Sequence, residues 1–161
     1  MLTTDTKPLE RLLFAAGNKI EGKKKLHKLA YLCQEAGTDL NLYFTFHYYG
    51  VYSPTLTELV DQAKGLGIVD ISDSLTLSPV TIQLKSNNSV SIENEPGLRL
   101  VSQLQDESPR TLEVLSTIVF LDRRGHTDID SLKAKLIELK GHLTSYYDKA
   151  FLLAKQHFNI A

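Results

Sequence analysis

The chain has 161 residues, 42% hydrophobic and 23% charged, enough apolar material for a buried core without metals or disulfides. Its formal net charge is −1, so no global positive field draws it to nucleic acid or to an anionic membrane. The lone Cys33 excludes an internal disulfide framework and fits a reducing, cytoplasmic setting.

The opening MLTTDTKPLE has neither a basic n-region nor an apolar h-region, so no signal peptide is expected. No apolar run reaches the roughly 20 residues that span a bilayer. Thr6-Lys7-Pro8 predicts a helix over residues 8–17, with Leu9, Leu12, Leu13 and Ala16 as its apolar stripe and Gly17-Asn18 as its stop. GKKKLHKLAYLCQEAG follows from Gly22. Leu26, Leu29, Ala30 and Cys33 recur at i, i+3, i+4 and i+7, the pattern of an amphipathic helix that ends at Gly37. With that stripe inward, Lys24, Lys28, Tyr31 and Glu35 fall on the opposite, outer face. From Leu42 to Tyr49 the period changes to two, which predicts a strand. Leu42, Phe44, Phe46 and Tyr48 take its inner face; Tyr43, Thr45, His47 and Tyr49 take the outer one.

Ser53-Pro54 is an N-cap followed by proline at the first helical position. It starts a helix over 54–65 with Leu56, Leu59, Val60 and Ala63 inward, closed by Gly65 and Gly67. Residues 68–71, 75–84 and 90–92 read as short strands between Ser, Asp and Asn turns. Beyond Pro96 the pattern is helical: near 97–106, over 109–123 after a second cap at Ser108-Pro109, near 129–140 and near 145–158. The 109–123 helix is apolar nearly all round and therefore central. The expected fold class is α+β. A winged-helix-like part with a small antiparallel sheet spans 1–95, and helices fill 96–161. No linker or repeat divides the two, so a single domain is expected. Residues 54–65 are then the third helix, packed on 22–36, and the strands after it are the wing.

The runs EGKKKLHKLAYLCQEAG, FTFHYYGVYS and LTELVDQAKGLGIV resemble, in order and spacing, the YwgA family of small bacterial and archaeal proteins. That family shows G-[KR]-K-K-L-x-K-hydrophobic-x-Y-hydrophobic, then F-x-F-x-x-Y-G-P-Y-S. The likeness covers roughly residues 20–70 and fades through the wing and the C-terminal helices. Val51 stands where the family has proline, so a rigid turn is less assured there. A more distant similarity reaches the Panacea-type antitoxin domain, whose members look like winged-helix proteins that neutralise a toxin by protein contact. No defined activity comes with the YwgA name. The resemblance implies fold and cytoplasmic location, and it suggests partner binding.

Two binding readings follow. Tyrosine combines an apolar body with a polar tip, and five of the seven tyrosines lie between positions 31 and 52. A protein-binding surface of Lys24, Lys28, Tyr31, Tyr43, His47, Tyr49, Gly50, Tyr52 and Ser53 is therefore expected, with tyrosine anchors and lysines at the edge. It suits an antitoxin, an adaptor or a regulatory subunit. The alternative is a DNA-binding winged-helix transcriptional regulator that uses Lys23, Lys24, Lys25 and Lys28 on phosphates. A groove-reading helix should offer Arg, Asn, Gln or Lys to base edges. Residues 54–65 instead offer Thr55, Thr57, Glu58, Asp61 and Gln62, with Lys64 the sole base, and two carboxylates there repel DNA. Nucleic-acid binding is expected to be weak or absent, the partner to be another protein, and a homodimer is left open. A rival to the interface is that the C-terminal helices cover the tyrosines through Tyr147, Phe151 or Phe158.

No G-x-S-x-G, H-E-x-x-H, Walker loop or paired-cysteine site occurs, so no enzyme, cofactor or metal is expected. Cys33 reads as a small hydrophobe on an apolar face. His126 near Asp128 and Asp130 could hold a metal, but residues 127–130 read better as a loop and N-cap, with Ser131 in the first helical turn.

Overall fold

Pro8, in the first helical turn, helps start α1 (Lys7–Ala15), which buries Leu9, Leu12, Leu13 and Ala15. Gly17 and Asn18 then take positive φ, the backbone turn that ends a helix without continuing it. The computed structural model describes residues 5–72, 80–85 and 91–160. A short strand follows, β1 (Lys19–Glu21), with Ile20 buried between two exposed neighbours. Its three residues are too few to carry a legible alternation, and the sequence pattern did not predict it.

The helix α2 (Lys23–Glu35) carries the expected lysine run, but it is not half exposed. Every residue from Leu26 to Cys33 is buried. The cause lies elsewhere in the chain: α4 (Pro96–Leu104) and α5 (Pro109–Arg123) both pack on α2, so two helices cover faces that its own periodicity left open. Contact with α4 is close enough to require glycine. A Cβ on Gly97 would lie 2.1 Å from the Cys33 carbonyl oxygen. The Gly97 N–H also donates to the buried Thr38 hydroxyl at 2.8 Å.

The stretch expected to be one strand over 42–49 is a hairpin. β2 (Thr45–His47) pairs antiparallel with β3 (Gly50–Tyr52), with Phe46 opposite Val51 and His47 opposite Gly50. Tyr48 and Tyr49 form the turn. Gly50, with φ of +100°, supplies the backbone conformation that lets so short a connection reverse the chain. The turn closes without the proline that the resemblance implied at Val51, whose side chain is instead fully buried. Tyr48, expected in the core, lies at the tip and is 84% exposed, because alternation stops where the turn begins.

The helix α3 (Pro54–Gly65) starts as expected, with the Ser53 hydroxyl accepting from the Leu56 N–H. It meets α2 at its first turn, through His27, and packs along α1 and the following strand. β4 (Val69–Ser72) and β5 (Thr81–Leu84) are antiparallel, and β1 pairs with β5 from the other side, giving the order β1-β5-β4. Ile20, Ile82 and Ile71 stand side by side across the three strands. The strand expected over 75–84 is seen for Thr81–Leu84; positions 75–79 and Val90 lie outside the described residues. Ser91 and Ile92 are not in a strand.

After α5 come α6 (Ile129–Lys140), a 3₁₀ turn over Gly141–Tyr146, and α7 (Tyr147–Phe158). α5 is central, as its all-round apolar pattern required: it packs on α2, α6 and α7. The architecture is α+β. One apolar cluster joins Leu9 and Leu29 to Ile118, Leu136 and Ala154, so the N-terminal elements and C-terminal helices share a core. Among the described residues, no helix is long and apolar enough to cross a membrane.

Candidate functional site

The hairpin tip stands on two buried lysines. Lys28 is 3% exposed and Tyr31 4%, so neither lies on the outer face that α2's periodicity gave them. The Lys28 ammonium donates to the carbonyls of Tyr49 at 2.7 Å and Val51 at 3.1 Å. Lys140, at the end of α6, donates to the Tyr48 carbonyl at 3.0 Å and pairs with Glu113 of α5 at 3.0 Å. Three tip carbonyl groups, those of residues 48, 49 and 51, therefore meet two ammonium groups, one of them paired with the Glu113 carboxylate. A Cβ on Gly50 would lie 3.4 Å from the Lys28 Nζ and 3.7 Å from the Glu113 Cγ.

Burial pushes Lys28 down to about 8; Glu113 works against that shift, while Lys140 and Lys24 add to it. Burying two ions costs several kcal/mol each, and hydrogen bonds to charged groups return about 1.5–3 kcal/mol apiece. The net stability is small. What the arrangement does is fix the tip: its backbone is tied inward and its side chains are left outward, with Tyr49 56% exposed beside Tyr48.

Tyr31 is covered, though not by the residues that the rival reading named. Its ring meets Phe44 edge-on at 5.3 Å and tilts against Phe120 of α5 at 6.5 Å, and burial pushes its hydroxyl upward. Phe46 stacks on the same Phe120 at 4.8 Å. Tyr147 instead donates to the carbonyls of Leu136 and Lys140. Tyr43 is 66% exposed, and its N–H donates to Thr55 at the start of α3, outside the cleft described below.

His27 joins the hairpin to α3. Its Nδ1 accepts from the Ser53 N–H at 3.0 Å, which leaves the proton on Nε2, 3.4 Å from the Thr57 hydroxyl. The ring stacks on Tyr52 with centroids 4.6 Å apart. Burial, with Lys28 and Lys23 nearby, pushes His27 down to about 4, so it is neutral near pH 7. Ser53 is fully buried, and its role is to cap α3.

Between the start of α2, the hairpin and α3 lies a cleft of about 500 Å³. Lys23, Lys24, His27, Lys28, His47, Tyr49, Gly50, Val51, Tyr52 and Thr57 line it. Thus the structure brings together Lys24, Lys28, His47, Tyr49, Gly50 and Tyr52 of the expected surface, adds Lys23, and leaves out Tyr31, Tyr43 and Ser53. Lys24 places its ammonium 3.8 Å from the Tyr49 ring centre. Lys25 turns away and donates to the Gln105 carbonyl. Among the described residues no carboxylate lies within 4 Å of the Lys23 or Lys24 ammonium. α2 has no acidic residue in its first turn, so these lysines stand at the positive end of the helix dipole. The cleft rim is a local positive site on a chain of net charge −1.

Glu113 and Lys140 escaped sequence reasoning. Glu113 had left a signal, a carboxylate inside a nearly all-apolar helix. Lys140, in a last helical turn where lysine is ordinary, had left none. Cys33 is fully buried and its thiol is pushed up to about 12, which suits packing and not nucleophilic chemistry. Asp128 caps α6 by accepting from the Ser131 N–H at 3.0 Å, and His126 lies 3.3 Å from the Ser131 hydroxyl. No group of three metal-binding side chains occurs among the described residues.

No family model matches the chain. It is similar to the Uncharacterized protein YwgA of Bacillus subtilis (strain 168), 24% identical over 150 residues, which are 86% of this chain and 87% of that protein. That likeness, running well beyond residues 20–70, bears out the resemblance to the YwgA family read from the lysine and tyrosine runs.

Proposed function

We propose that the chain is a non-enzymatic protein-binding module that offers the Tyr48-Tyr49 tip and the adjoining cleft to another protein. An antitoxin, an adaptor or a regulatory subunit would use such a contact, in a cytoplasmic setting that suits the lone buried Cys33. One observation carries the reading: two adjacent tyrosines are exposed on a turn whose carbonyl groups are anchored by buried Lys28 and Lys140. Stiff aromatic side chains on a fixed turn lose little conformational entropy on binding, which is what an anchor at an interface needs. The N-terminal part is read as a winged helix, supported by the β1-β5-β4 order, with β4 and β5 as the wing. Its third helix, α3, exposes Glu58 and Asp61, which favours protein over DNA as the partner.

Affinity capture from the native host, with wild type beside Tyr49→Ala, tests this reading. The substitution should cost the fold no more than about 0.5–1 kcal/mol, the scale of an exposed contact with Lys24. Partner affinity should fall by about 2 kcal/mol or more. A stability loss of roughly 3 kcal/mol would place Tyr49 in the core. Undiminished capture would remove the tip from the interface.

A further inference from the structure

We infer that the cleft takes an extended, acidic segment of the partner protein, with carboxylates on Lys23 and Lys24 and an apolar side chain between them against the rings of Tyr49 and Tyr52. This rests on the protein-binding reading and names the chemistry of its partner. Lys23 and Lys24 are exposed and have no carboxylate within 4 Å among the described residues. The floor beneath them is Val51 and the stacked pair of Tyr52 and neutral His27. Cations above an apolar, aromatic floor match a segment in which acidic and apolar side chains alternate.

The shape favours a chain over a compact anion. A second cleft, of about 380 Å³, lies on the other side of Tyr49 and is lined by Arg110, Pro109, His142 and Leu143. Lys24, at 3.8 Å from the Tyr49 ring centre, lines both clefts, as does Tyr49 itself. An extended strand advances about 3.3 Å per residue with side chains on alternate sides. It can therefore cross the Tyr49 ridge with one carboxylate near Lys23 and a later one near Arg110. In the second cleft the acidic lining residue is Glu113, which Lys140 already neutralises.

The test titrates ¹⁵N-labelled protein with a capped hexapeptide of alternating glutamate and leucine. Controls are the same peptide with lysine for glutamate, free phosphate and a short DNA duplex. Saturable amide shifts confined to residues 23–28, 47–52 and 109–113, from the glutamate peptide alone, are expected. Lys23→Ala with Lys24→Ala should weaken that binding by about tenfold or more. Equal binding of the lysine peptide, shifts elsewhere or none, or a response to phosphate or duplex as strong as to the peptide would overturn the inference. Loss of captured partner on Tyr49→Ala but not on the double lysine variant would also overturn it, while leaving the protein-binding reading intact.

Discussion

His27 links its own helix to β3 and to the start of α3 with one ring, and its protonation is tied to that geometry. Nδ1 can accept from the Ser53 N–H only while it carries no proton. Its folded value of about 4 lies below the 6.5 of an unfolded chain, so acid favours unfolding. The contribution is complete above pH 6.5 and is lost as pH falls from there through about 4. Between pH 7.5 and 4.5, urea unfolding of wild type should lose about 2.5 kcal/mol more than that of His27→Gln. Equal losses would mean that the ring is already free to charge in the folded state. The sequence showed His27 only as one dispersed histidine among five, because its partners, Ser53 and Thr57, belong to another helix start. Cys33 was legible as a core residue because a stripe at helical spacing points to it directly.

At the scale of elements, what was legible is what is local. The caps at Ser53, Ser108 and Asp128 each involve residues within three positions, and all three form as expected. α2 fails the same treatment because α5, some eighty positions later, covers the face that bears Lys28 and Tyr31. The hairpin was missed because alternation from Leu42 runs without a break through Tyr48 and Tyr49, the turn itself, and the one glycine, Gly50, comes only after it. That hairpin depends on Glu113. Removing its charge leaves two buried ammonium groups near each other with carbonyl groups alone as partners. Glu113→Gln should cost about 3 kcal/mol of stability, the scale of breaking a buried ion pair. It should also speed amide exchange at residues 46–51 more than in α7. Unchanged exchange at the tip would show that the lysines are not what holds it.

For the whole molecule, the question is which surface meets a partner. Lys28 is buried and Lys25 is engaged, so the cationic surface of α2 comes down to Lys23 and Lys24. Together with the acidic residues on α3 and the net charge of −1, that predicts only nonspecific binding of duplex DNA, on the order of 10⁻⁴–10⁻⁶ M or weaker at physiological salt. Lys23→Glu with Lys24→Glu should abolish it. A sequence-specific complex tighter than about 10⁻⁸ M would establish the regulator reading instead.

The tip itself can be questioned where the protein works. A photo-crosslinking benzophenone side chain placed at Tyr49, which is exposed, reports what lies within a few ångströms of it in the native host. The control position is Leu66, exposed and outside both clefts. One discrete covalent adduct with another polypeptide is expected at position 49, absent at position 66, and weakened by Lys23→Ala with Lys24→Ala. No adduct at 49, or the same adducts at both positions, would contradict the assignment of the Tyr48-Tyr49 tip as the binding surface.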